Sequence, residues 1–213
     1  MMNTGKFIEN YFFKKRIVFF ASKHETDLSG ISPIKSNYRY EFFDLESAVI
    51  EDLYNTLKPI VPDDLLNRYI GRHNYPQYWK LIIAYSGEIP VGCNWILKIP
   101  YNRFLFDSFV HDTKHILLGN FYVSEKSRGH GVNKEMVKKA LRYIFDKHGK
   151  QIPVFIVEKS NKSSLKSSIG IGAKVYGTNY LIKFLKRNII SVFVPKKGKW
   201  KIWFLPAFKQ KLF

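Results

Sequence analysis

The order of apolar patterns along the chain predicts a mixed α/β fold around one central sheet, with at least one βαβ crossover. Three observations carry that prediction. Strand and hairpin patterns come first, and a strand–helix–strand–helix–strand series follows. Between them, "GNFYVSEKSRGHGVNKEMVKKAL" (residues 119–141) sets Arg128, Gly129 and Gly131 between a strand-like run and a helix-like run. The third is an apolar content of 46%, with 16% aromatic, which in 213 residues is ample for the core of one domain.

Each element has its own signal. "KRIVFFASKH" (15–24) reads as a strand after a short arm, and "SNYRYEFFD" as a second strand ended by Asp44. Asp44 is placed to cap "LESAVIEDLYNTLK", a helix with Val49, Leu53 and Leu57 four apart. Pro62-Asp63-Asp64 opens "DLLNRYIG", with acids in the first turn where the helix dipole favours them. "YWKLIIAYSGEIPVGCNWILKI" is a hairpin around Ser86-Gly87-Glu88. Residues 101–113 read as a loop and "HILLGNFYV" as a strand.

The helix opening near Gly131 carries Val132, Met136, Val137, Ala140, Leu141, Ile144 and Phe145 on one stripe and ends at Gly149. "IPVFIVEK" is a continuous apolar strand of the buried, parallel kind. A short helix from about Asn161, a strand from about Gly172 to Phe184, and a hairpin of "IISVFV" and "WKIWFL" complete the chain. The expected division is an arm and extra strand over 1–36, a core over 37–185, and a basic aromatic hairpin over 186–213 belonging to the same domain.

Charge is unevenly spread. Residues 1–120 hold 14 Lys/Arg against 13 Asp/Glu, and residues 121–213 hold 21 against 4, so the net charge of +18 lies almost wholly in the second part. Such a field concentrates polyanions: nucleic acid, an anionic membrane surface, or a multiply phosphorylated small molecule. The longest apolar runs fall far short of the ~20 residues of a membrane helix. The N-terminus is a poor signal peptide, and a lone Cys93 has no internal disulfide partner, so a cytoplasmic protein is expected.

The glycine-flanked turn has a physical use. A helix N-terminus leaves backbone N–H groups unpaired and carries positive partial charge, and preceding glycines let that backbone approach a bulky anion. Arg128 adds a permanent charge with a bidentate fork suited to phosphate. The turn lacks the Gly-Lys-Ser/Thr of a Walker loop. It also lacks the glycine spacing and downstream acid of a dinucleotide fingerprint.

"YVSEKSRGHGVNKEMVKKAL" resembles the acetyl-coenzyme A motif of the GNAT N-acetyltransferase superfamily, in which Arg-Gly-x-Gly-x-Gly/Ala opens a helix after a strand ending in Val. A second block, "VFIVEKSNKSSLKSSIGIGAKVYG", supplies Asn161, Ser164 and Gly172 in matching register. The resemblance implies a mostly antiparallel GNAT-like sheet with flanking helices and a βαβ coenzyme A-binding core. It implies acetyl-CoA as cosubstrate, with no metal. Main-chain groups of Phe121, Tyr122 and Val123 would then pair with the pantetheine arm. The backbone from Arg128 through Gly129, His130, Gly131 and Val132 to Asn133 would hold the pyrophosphate, with Asn161 and Ser164 nearby.

The implied reaction is direct attack of an acceptor amine on the thioester. His115, Asp112 and His111 are the candidate bases, His115 having the most suitable ordinary pKa. Three positions depart from the family pattern. Asn133 stands where Gly or Ala is usual, Ala173 replaces a Phe, and Ser168 stands where many members carry a tyrosine that protonates the leaving thiolate. Another tyrosine such as Tyr176 substitutes for it, or coenzyme A leaves through water, or catalysis is lost.

Other groupings are weaker. "HDTKH" (111–115) copies a zinc-protease spacing but lacks the helix and the Glu that mechanism needs. Cys93 in its apolar run reads as a buried structural thiol. Glu51, Asp52, Asp63 and Asp64 read as caps and a solvated face, or else as an acidic lid for a cationic acceptor. "RHNYPQYW" (72–79) is rich in groups that stack on sugars and mildly favours an amino sugar or sugar nucleotide over a protein or polyamine amine. The C-terminal lysine–aromatic mix fits an edge hairpin first, then contact with an anionic membrane or other polyanion, and nucleic acid last. The reading from another class is a GNAT-fold module that binds polyanions without turnover.

Overall fold

The computed structural model describes residues 13–21, 37–98, 115–149, 151–184, 187–199 and 201–204. Nine strands form one sheet: β1 Phe13–Phe20, β2 Tyr38–Phe43, β3 Trp79–Ser86, β4 Ile89–Lys98, β5 His115–Val123, β6 Ile152–Glu158, β7 Lys174–Phe184, β8 Arg187–Pro195 and β9 Lys201–Phe204. The four described α-helices are α1 Ile50–Leu57, α2 Asp63–Ile70, α3 Val132–Lys147 and α4 Lys162–Gly170. Strand order across the sheet is β2-β3-β4-β5-β6-β1-β7-β8-β9. Every pairing is antiparallel except β5–β6, which α3 connects as the predicted βαβ unit.

Alternation along the central strands gives the sheet two apolar faces. Leu81, Ile83, Cys93, Trp95 and Leu97 pack with Leu53, Leu57, Leu66 and Tyr69 of α1 and α2. The intervening Ile82, Ala84 and Ile96 meet Val132, Met136, Ala140, Leu141 and Ile144 of α3 on the opposite face. Gly92 makes that second contact close. A methyl there would stand 3.1 Å from Met136 Cε and 3.3 Å from Val132 Cγ1, so the first turns of α3 lie tight against β4.

Two local readings need correction. Asp44 does not cap α1. The helix starts six residues later, after Val49, which is 60% exposed and supplies no capping group. The Asp44 carboxylate instead accepts from Ser47 Oγ (2.7 Å) and Glu46 N–H (3.0 Å), closing a turn of its own. The hydrogen bond from Ser47, then that from Glu46, holds its pKa below the ordinary value. The first strand runs Phe13–Phe20 rather than 15–24, and residues 22–24 lie outside the described ones. It is inserted between β6 and β7, paired to both, with Val18 and Phe19 fully buried. The loop expected over 101–113 and the candidate bases His111 and Asp112 lie outside the described residues.

Candidate functional site

Beyond Leu118 the two parallel strands part. The β5–β6 ladder runs from His115↔Ile152 to Leu118↔Phe155 and stops, while β5 stays paired to β4 as far as Gly92↔Val123. A bulge sits where they part. Cys93 pairs with Tyr122 and Trp95 with Gly119, so Asn120 and Phe121 together oppose Asn94. Asn120 takes φ 55°, the one positive φ at a non-glycine among the described residues. N–H groups alternate sides along a strand. The Ser124 N–H bonds the Val91 carbonyl of β4 at 2.8 Å, so that of Tyr122 also faces β4. The Phe121 and Val123 N–H groups therefore face the gap.

The chain then makes a short 3-10 turn, Glu125–Ser127, and enters α3 through the glycines. Gly129 and Gly131 have φ 82° and 79°, in the left-handed region that favours glycine, and open space surrounds the position of a Cβ at each. Gly131 is the N-cap of α3, and no side chain caps that helix. The first N–H groups of α3 are thus left to whatever occupies the space before them. That space is a cleft of about 590 Å³, lined by Phe121, Tyr122 and Val123, by the turn, and by Asn133, Lys134, Asn161, Ser163, Ser164 and Ser167.

Arg128 ties the turn to the strand. Its Nε donates to the Val123 carbonyl (3.1 Å), its guanidinium pairs with Glu125 (3.5 Å), and it lies 5.7 Å from the Tyr122 ring centre. Across the cleft, α4 presents its own N-terminus, where Asn161 Oδ1 accepts from the Ser164 N–H at 3.0 Å. Two helix N-termini, Arg128 and Lys134 therefore converge on one concavity that continues into the β5–β6 gap. This arrangement suits a ligand with an anionic head and an extended, amide-bearing arm.

The profile of the acetyltransferase (GNAT) family matches residues 42–166, more than half of the chain. The chain belongs to the GNAT family. Solved structures agree on the fold. A GNAT-family acetyltransferase structure from Novosphingobium aromaticivorans superposes with a TM-score of 0.54 at 8% identity, over 79% of this chain and 62% of that one. A GNAT-family acetyltransferase from Colwellia psychrerythraea gives 0.54 at 12% identity, over 86% and 62%. The glucosamine N-acetyltransferase region of a fungal multi-domain β-N-acetylglucosaminidase gives 0.56 at 14%, over 80% of this chain and 21% of that one. The chain thus spans less than two thirds of each of these relatives. No curated protein matches it.

In this GNAT chain most of the residues expected at the cofactor line one cleft, and Asn133 stands in its wall without filling it. His130 is exposed and lies outside the lining. Ser127, Lys134, Ser163 and Ser167 join the lining although the sequence reading did not single them out; their nearness to the glycine turn and to Asn161 was the available signal.

The candidate catalytic side chains are dispersed. His115 opens β5, eight residues and roughly 25 Å from Val123. Its ring lies 6.0 Å from that of Tyr176, at the end of the sheet away from the cleft. Ser168 is buried in the last turns of α4, outside the lining.

Glu51, Asp52, Asp63 and Asp64 are exposed in the first turns of α1 and α2. Cys93 is fully buried, and that burial pushes its thiol up to about 12. Among the described residues no group of three or more His, Cys, Asp or Glu is placed to hold a metal, and no helix is long and apolar enough to cross a membrane.

Proposed function

We propose that the protein is an N-acetyltransferase that binds acetyl-CoA in the β5–α3–α4 cleft and passes the acetyl group to an amine. The observation that carries this reading is the uncapped N-terminus of α3, entered through two left-handed glycines and opening onto a cleft of about 590 Å³. The cradle is open at both glycines, so a diphosphate can approach the backbone. Asn133 stands in the wall of the cleft, its Oδ1 buried with no hydrogen-bond partner among the described residues. Acetyl-CoA supplies the activated acyl group as a thioester. The chain's part is to neutralise the phosphates with Arg128, Lys134 and two helix ends, to align the arm along β5, and to offer the Phe121 and Val123 N–H groups where negative charge grows on the carbonyl oxygen.

The acceptor reading is an amine on a sugar or sugar nucleotide. The partly buried rings of Tyr54, Tyr75, Tyr78 and Tyr122 lie on the α1–α2 face, and such rings stack on sugars. Exposed acids on the first turns of both helices would draw in a cation. The test is to incubate the protein with acetyl-CoA and glucosamine, a lysine peptide or spermidine, following released thiol and the mass of the amine. An amine-dependent thiol release with one acetyl group gained supports the reading, and greater turnover of glucosamine supports the sugar. Absence of both turnover and acetyl-CoA binding contradicts it, and steep salt-dependent capture of anionic vesicles would then favour a binding module.

A further inference from the structure

Beneath the bulge of β5 lies a buried cation in an aromatic cage. Arg72, in the 3-10 turn after α2, is 6% exposed. Its guanidinium carbon stands 4.5, 4.3 and 4.6 Å from the ring centres of Tyr69, Trp79 and Trp95. The rings meet edge-on, Tyr69 and Trp79 each 5.8 Å from Trp95. One guanidinium nitrogen, Nη1, is buried without a hydrogen-bond partner among the described residues, and three aromatic rings face the charge. The ring of Tyr69 is therefore clamped from one side, while its hydroxyl reaches β5 and donates to the Asn120 carbonyl at 3.4 Å.

That carbonyl has a particular partner. The Asn120 C=O and the Phe121 N–H belong to one planar trans peptide and point in opposite directions. A phenol fixed on the carbonyl therefore aims the N–H, and by polarising the peptide it makes the N–H a stronger donor. We propose that Tyr69, clamped by the caged Arg72, is a positioning residue for acetyl transfer, holding the Phe121 N–H toward the thioester oxygen. This rests on the acetyl-CoA reading above. Sequence gives no hint of it, because nothing in "DLLNRYIG" sets Tyr69 apart.

Tyr69→Phe removes the hydroxyl and keeps the ring in its cage. Carbonyl-labelled acetyl-CoA is the probe, with affinity measured by calorimetry, the bound thioester followed by carbon NMR, and thiol release followed with glucosamine present and absent. The expected result is an affinity within about twofold of wild type, a bound carbonyl resonance moved back toward that of free acetyl-CoA, and thiol release slowed about tenfold, the scale of one weakened oxyanion donor. A wild-type resonance and rate in Tyr69→Phe overturn the proposal while leaving the acetyl-CoA reading intact. If the wild type itself fails to bind acetyl-CoA, the reading and the proposal fall together. Arg72→Lys is the second variant, keeping the charge but not the planar fork that stacks on three rings. It should shift the same resonance part-way at unchanged affinity, and an unshifted resonance overturns the role of the cage.

Discussion

At Gly131 the backbone conformation, rather than crowding, excludes other residues. A Cβ there meets nothing within 4 Å, yet φ is 79°. Gly131→Ala should therefore cost roughly 1–2 kcal/mol from left-handed strain alone, measured as a lower urea midpoint at unchanged slope. Cys93 gives a pH signature. Its thiol is pushed up to about 12 by burial, against about 9 in the unfolded chain. Above pH 9 the unfolded state binds fewer protons than the folded one, so stability falls as pH rises toward 12, by at most about 1.4 kcal/mol per unit. Urea titrations between pH 8.5 and 10 should show a shallower fall in Cys93→Ala than in the wild type, and equal slopes would contradict the burial argument. At this scale the sequence discloses the glycine-lined entry to α3, because glycine before a helix states a backbone requirement directly. It does not disclose Tyr69 or Arg72, whose roles depend on rings and a carbonyl brought together from four separate elements.

Elements with local causes are the readable ones. The Ser86-Gly87-Glu88 hairpin forms as expected, because Gly87 takes the positive φ its turn requires. The stripe of α3 lies against the sheet as its 3.6-residue period demands. The position of β1 is another matter. Its apolar run announces a strand, but neither neighbour is close in sequence, and long-range pairing leaves no local mark. The bulge at Asn120 is equally silent, since nothing around "LLGNFYV" demands a left-handed residue. Because β1 joins β6 to β7, Phe19→Ala should destabilise the protein by about 3–5 kcal/mol, the cost of a large core truncation. A loss under about 1 kcal/mol in chemical denaturation would mean that β1 is dispensable to the sheet.

On the scale of the whole molecule, the basic half has clusters at two ends of the sheet. Arg128, Lys134 and the N-termini of α3 and α4 gather at the cleft. Lys196, Lys197 and Lys199, all exposed, occupy the turn after β8 at the opposite end. The registers His115↔Ile152, Phe20↔Val154, Phe20↔Lys174 and Gly177↔Pro195 put that turn at the same end of the sheet as the start of β5. Net charge alone therefore overstates what the cleft receives from the hairpin lysines. Screening limits their reach, since about 10 Å is the Debye length at 0.1 M salt.

The most direct measurement is a calorimetric titration of acetyl-CoA into three proteins at two salt concentrations: wild type, Arg128→Ala, and the triple variant Lys196→Glu, Lys197→Glu, Lys199→Glu. The cleft account predicts saturable one-to-one binding by wild type, about tenfold weaker binding by Arg128→Ala, and a triple variant within about twofold of wild type at 0.1 M salt. Absent binding in the folded wild type, or affinity that follows the hairpin lysines and ignores Arg128, would contradict it.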